Sequence, residues 1–196
     1  MFDSQRRFPA LAGLAIALLA ALAAPVLAQD TCRVKAVLGG KAFLMKHCAV
    51  SLYDSEHSVS LYFSDARFTP KEVEAFQAYS NPSDKDAAGK PRTAMHFAFC
   101  PGAGKTVVGA AAVKSVETGI DVAGSPLLGR NWVFELPKDK DLLKIAKLSG
   151  ELKPGGRLTG RITGSKLSDG LKYSWEADFN LRLPAKSAFG GVSCGS

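Results

Sequence analysis

Histidine is scarce in this chain: His47, His57 and His96 are the only three among 196 residues. A serine or cysteine nucleophile needs a base, and no local spacing sets one of these three beside a candidate nucleophile. The four cysteines, Cys32, Cys48, Cys100 and Cys194, form no C-x-x-C. That removes a thioredoxin-like redox site and a zinc finger. There is no internal repeat, no low-complexity segment and no block of one charge sign; the densest run, Lys138-Asp139-Lys140-Asp141, is balanced. Two nucleotide- and hydrolase-like motifs are incomplete. Gly102-Ala103-Gly104-Lys105-Thr106 has Phe99 where a phosphate-binding loop needs its first glycine. Gly191-Val192-Ser193-Cys194-Gly195 matches G-x-S-x-G, yet Ser196 alone follows it, leaving no helix and no later Asp and His for a nucleophile elbow.

What the chain does have is an export signal. Arg6 and Arg7 make a positive start, residues 11–22 an apolar stretch, and Val26-Leu27-Ala28 a small-residue cleavage site before Gln29. An uncleaved anchor is the alternative for residues 11–28, and Pro25 and the alanine-rich composition weigh against it. Gln29-Asp30-Thr31 before Cys32 is neither small nor apolar, so lipid attachment is not expected. The expected product is periplasmic or secreted, with no membrane span after cleavage. It would be divided into a signal peptide (residues 1–28), one β-rich domain (29–183) and a small-residue tail (184–196). A domain of this size buries about 70% of its unfolded surface and needs no staple to hold a core.

Export conditions the remaining readings. It removes ATP, NAD and nucleic acid as partners, and no cofactor is expected. The formal net charge of +7 favours an anionic envelope component, with another envelope protein as the alternative. Four cysteines in an oxidising compartment argue for two disulfides. Gly39-Gly40 reads as a two-residue hairpin turn that sets Leu38 opposite Lys41. Counting outward brings Cys32 opposite His47 and turns Cys48 to the other face, which disfavours a Cys32–Cys48 bridge. The pairings left open are 32–100 with 48–194, or 32–194 with 48–100. The same register gathers Met45, His47 and Cys32, soft and imidazole donors suited to copper, as the best candidate metal set; Met95 and His96 are a second such couple, although neighbours on a strand point opposite ways.

The hydrophobic pattern is that of short strands. Residues 33–38, 41–53 and 57–64 alternate or run apolar, and 93–100, 107–122 (one long or two short strands) and 131–136 follow. Thr69-Pro70-Lys71-Glu72 is a helix start, with Thr69 as cap, Pro70 at the first position and Glu72 three after the cap. That helix should extend over residues 70–79 and bury Val73 and Phe76. Residues 138–147 read as one turn of helix followed by strand. From 172 to 183 the alternation is unbroken, with Tyr173, Trp175, Ala177, Phe179, Leu181 and Leu183 on one face. Asp169-Gly170 folds that strand back on residues 157–166, setting Trp175 over Gly164 and Phe179 over Gly160. The expected fold is mainly β: an antiparallel β-sandwich or partly open barrel of eight or nine strands with one short helix.

The segment Gly39-Gly40-Lys41-Ala42-Phe43-Leu44 through Ser64-Asp65, with Leu158-Thr159-Gly160 and the Phe179 strand, resembles a loose set of exported bacterial β-proteins of no assigned activity. The resemblance implies fold and export only, and it assigns no catalytic or cofactor-binding residue. The expected role is a non-enzymatic binding or structural module at the cell envelope. A copper- or other metal-binding protein and an envelope hydrolase with unlocated acids are the alternatives.

Overall fold

The computed structural model describes residues 30–53, 58–77, 92–101, 107–122, 130–136 and 138–187. Among these residues, alternating side chains and tight glycine turns give eleven strands and one α-helix. In chain order the strands are β1 (Thr31–Leu38), β2 (Lys41–Met45), β3 (His47–Leu52), β4 (Val59–Ser64), β5 (Ala94–Pro101) and β6 (Val107–Gly109). After a 3₁₀ turn at Ala110–Ala112 come β7 (Val113–Asp121), β8 (Arg130–Glu135), β9 (Leu143–Glu151), β10 (Arg157–Ser168) and β11 (Leu171–Arg182). They form a six-stranded sheet, β2-β1-β11-β10-β9-β6, and a five-stranded sheet, β3-β4-β5-β7-β8. Every pairing is antiparallel. The fold is a β-sandwich.

The two glycine-containing hairpins form in the register that the sequence dictates. Gly39 and Gly40 take positive φ, and Leu38 pairs with Lys41. Asp169 and Gly170 do the same, and β10 meets β11 with Gly160 opposite Phe179 and Gly164 opposite Trp175. The Trp175 and Phe179 rings lie on those glycines so closely that a Cβ at either position would overlap them. From there the rings reach the second sheet. Phe179 packs 6.3 Å from both Phe63 and Phe99, and Trp175 6.0 Å from Phe134. Val34, Leu38, Met45, Leu61, Phe97, Ile120, Leu158 and Ile162 fill the same interior.

Two long apolar segments break where they change sheets, which is why the strand count exceeds the expected eight or nine. Residues 41–53 divide at Lys46. The β1–β2 ladder ends at Val34 opposite Met45, and the Lys46 N–H then donates to the Ser64 carbonyl of the other sheet, at 3.1 Å. Residues 107–122 divide at Ala110–Ala112, with β6 beside β9 and β7 beside β5. Neither break carries a proline or a strong turn signal.

The break at Lys46 corrects the disulfide reading. Cys32 and Cys48 are bonded to each other, with Cα atoms 6.3 Å apart. The parity argument against this pair assumed one continuous ribbon, but the two residues sit in different sheets. Cys32 is level with Phe179 and Cys48 with Phe63, both inward-facing, so the two sulfurs meet across the sandwich. The pairings that join Cys32 or Cys48 to Cys100 or Cys194 are thereby excluded. The Cys100 side chain and all of Cys194 lie outside the described residues.

The helix α1 (Pro70–Gln77) starts as expected. Thr69 Oγ1 accepts from the Glu72 N–H at 3.2 Å, and Glu72 Oε2 accepts from the Thr69 N–H at 2.6 Å. This is a reciprocal capping box. Val73 and Phe76 are half-buried rather than fully buried, because the helix lies on the outer surface of the five-stranded sheet instead of in the core.

Two stability measurements follow. The Cys32–Cys48 bridge closes a short loop between the sheets, so Cys32→Ser combined with Cys48→Ser should lower unfolding free energy by about 3 kcal/mol in denaturant titrations. Gly164→Ala forces a methyl group into the Trp175 ring and should cost about 1–3 kcal/mol by the same measurement, whereas Gly109→Ala, where a Cβ meets nothing and the backbone is extended, should cost less than about 0.5 kcal/mol.

Candidate functional site

The outer surface of the five-stranded sheet carries the polar half of each strand's alternation. With Val59, Leu61 and Phe63 turned inward, β4 presents Ser60, Tyr62 and Ser64 outward; β5 likewise presents Ala94, His96 and Ala98. On β7, Val116 and Ile120 point into the core, which sets Glu117, Gly119 and Asp121 outside. Register aligns these residues in rows. One runs Tyr62, His96, Gly119, Asn131 across four strands. The rows on either side hold Glu117 and Asp121.

Helix α1 covers the β3 side of this surface. The Phe76 ring stacks on Tyr62 at 4.1 Å with 10° between planes, and the Tyr53 hydroxyl donates to the Phe76 carbonyl at 3.3 Å. Phe68 meets Phe76 edge-on at 5.5 Å. Between the helix and strands β5, β7 and β8 lies a cleft of about 560 Å³. Its wall is Phe68, Phe76 and Tyr62; its floor is His96, Gly119 and Asn131; Glu72, Arg92, Glu117 and Asp121 supply the charge.

The charges divide into a paired set and an unpaired set. Glu72, 3% exposed, is held by the Thr69 N–H and by the Arg92 guanidinium. Arg92 in turn lies over the Phe68 ring, 5.3 Å from its centre. Its Nη1 is buried and has no acceptor among the described residues, which leaves a donor at the cleft wall. Glu117 and Asp121 have no cationic partner among the described residues, and they flank the one position on β7 that lacks a side chain.

Gly119 is the seat of His96. A Cβ there would coincide with the imidazole and would also crowd Asn131 Oδ1 at 2.6 Å, so only glycine lets the ring lie against β7. Tyr62 stacks over the other side of His96 with centroids 6.0 Å apart. Burial lowers the His96 pKa, and the opposing influence of the Glu117 and Asp121 carboxylates does not restore it. His96 is therefore a neutral imidazole at neutral pH. Burial, with Tyr53 close by, pushes the Tyr62 phenol well above its ordinary value, so Tyr62 stays a neutral hydroxyl.

Of the histidines, cysteines and methionines singled out from sequence, His96 and Met95 line this cleft, and the Met45, His47 and Cys32 set does not converge on it. Cys32 is oxidised with Cys48; Met45 is fully buried in the core; His47 sits outward on edge strand β3 beside Ser64. Met45 and His47 thus do not share a face, because the chain changes sheets between them. Among the described residues no three His, Cys, Asp or Glu side chains are arranged to hold a metal ion. Asp65 caps backbone, accepting from the Thr93 N–H at 3.0 Å. His57, the Gly102–Thr106 stretch and the Gly191–Gly195 stretch lie outside the described residues. Sequence reasoning missed Glu117, Asp121 and Arg92 as site residues and read Glu72 only as a cap. The available signal was the polar half of β7, an acid–glycine–acid alternation opposite Val116 and Ile120. No protein-family model matches the chain, and no curated protein or solved structure is detectably similar to it.

The lowered His96 pKa has a measurable consequence. The unfolded chain takes up this proton near pH 6.5, before the folded protein does. Stability linked to His96 is present above about pH 6.5 and is lost as pH falls from there through the lower folded-state value. In denaturant midpoints measured from pH 7.5 down to 4.5, His96→Gln should flatten this part of the acid slope. An unchanged slope would contradict the buried neutral assignment.

Proposed function

We propose that this protein is an exported binding module whose cleft receives a small organic cation with an apolar body. The N-terminal Arg6-Arg7, apolar stretch and Val26-Leu27-Ala28 pattern support export, with cleavage between Ala28 and Gln29. The Cys32–Cys48 bridge supports an oxidising destination. The observation that carries the ligand class is the pair Glu117 and Asp121, uncompensated on the cleft floor of a chain whose formal charge is +7. An anion meets two carboxylates there, whereas an ammonium group meets them as acceptors while its apolar body lies beside the Phe68 and Phe76 wall. The unpaired Arg92 Nη1 offers a donor to an acceptor atom elsewhere on the ligand.

One observation favours a second reading. Two carboxylates and a neutral imidazole share one cleft, which is the minimum set for acid–base hydrolysis at the envelope. Calorimetric titration with benzylamine, choline and benzoate, alongside turnover assays on chromogenic esters and glycosides, separates the two. The binding reading expects the amines to bind and benzoate not to. Glu117→Gln and Asp121→Asn should each weaken amine binding about fivefold, a modest factor because Glu117 is half-buried and Asp121 exposed. Turnover abolished by Glu117→Gln would favour the hydrolase instead. Equal binding of benzylamine and benzoate would contradict the ligand class.

A further inference from the structure

We propose that the outer face of the six-stranded sheet docks on an anionic lipid bilayer. Among the described residues, no element covers this face. Antiparallel register places Arg33, Asp178, Arg161 and Lys147 in one row across it, and Lys35, Glu176, Thr163 and Lys144 in the next. Arg161 engages both carboxylates, pairing with Glu176 and lying 3.7 Å from Asp178. Arg33, Lys35, Lys144, Lys147 and, nearer the strand ends, Lys172 and Arg182 have no carboxylate partner among the described residues. The face is therefore a field of largely uncompensated cations, on the side of the sandwich opposite the acidic cleft.

Charge alone describes an ordinary solvated sheet face, and the apolar residues separate the two cases. Among the described residues the exposed large hydrophobic side chains are Val37, Leu44, Val133 and Leu167, and all but Val133 lie on this face. They sit towards the end formed by the two hairpin turns, which are joined by a hydrogen bond from the Gly39 N–H to the Lys172 carbonyl at 3.1 Å. Val37 and Leu44 border a shallow basin of about 530 Å³ whose other walls include Arg33 and Lys35. Cations beside exposed aliphatic side chains match a bilayer surface, where phosphates and the acyl boundary lie side by side. A soluble polyanion offers nothing for Val37, Leu44 or Leu167 to enter. The cleft and its ligand play no part in this inference.

The test is lysine footprinting on the exported protein in the presence of vesicles, read by mass spectrometry after limited acetylation. Vesicles of phosphatidylglycerol and phosphatidylcholine should protect Lys35, Lys144, Lys147 and Lys172. They should leave Lys114 and Lys138, off this face, as reactive as before. Pure phosphatidylcholine vesicles should protect none of them. In co-sedimentation, Lys35→Gln and Lys147→Gln should each reduce partitioning about fivefold, the effect of one basic residue near an anionic surface. Leu44→Ser should lower the binding that persists at high salt, which charge does not supply. Absent protection, equal protection of Lys114 and Lys138, or protection by phosphatidylcholine alone would overturn the proposal. Protection by heparin without protection by vesicles would also overturn it, in favour of a soluble polyanion. The site-by-site readout keeps the test independent of any membrane affinity of residues 11–28.

Discussion

The structure depends on one packing constraint: the Trp175 and Phe179 rings must lie on Gly164 and Gly160 while reaching the opposite sheet. This fixes the β10–β11 register, since a slip of one residue would turn every ring on β11 to solvent. β11 is central in its sheet, with β1 on one side and β10 on the other, so its register sets theirs. The five-stranded sheet is then positioned by what its inner residues must meet. The Cys32–Cys48 bridge adds a covalent tie between the layers at the point where the chain first crosses between them.

Both outer surfaces follow from that one interior. With every second residue committed to the core, the remaining half of each strand is free to carry charge, and the two sheets carry it with opposite sign. On the five-stranded sheet the free half yields His96, Glu117 and Asp121, roofed on one side by helix α1. On the six-stranded sheet it yields the rows of Arg33, Lys35, Lys144 and Lys147. The cleft is built by local economy: a side chain missing at Gly119 makes room for the imidazole, and burial of that imidazole keeps it neutral. Glu72 serves twice, closing the capping box of α1 and anchoring Arg92 at the cleft wall. The start of the helix and one edge of the site are thus the same set of contacts.

The legible parts of this fold are those governed by local rules. The Gly39-Gly40 and Asp169-Gly170 turns, the ring-on-glycine register and the Thr69–Glu72 capping box depend on residues close in sequence or on strict alternation, and each stands where it was expected. The sheet-to-sheet crossing at Lys46 was not legible, and residues 107–122 were open to one long or two short strands without showing where they divide, because apolar residues run through both and only tertiary packing decides where the chain turns. That single unread crossing at Lys46 accounts for the inverted disulfide expectation and for the apparent grouping of Met45 with His47. The cleft was hidden for a different reason. Arg92 and Glu72 are 20 residues apart and His96 and Gly119 are neighbours only through sheet register, so no window of sequence contains the site.

The central claim is that the helix-bearing face of the five-stranded sheet is where a ligand meets this protein. Backbone amide chemical shifts followed during titration with benzylamine test it most directly, since they report location independently of affinity. The largest changes should fall on His96, Glu117, Gly119, Asp121 and Asn131, with Gly160 and Gly164 on the other sheet unmoved. Changes confined to the six-stranded sheet, or spread evenly over both, would contradict it.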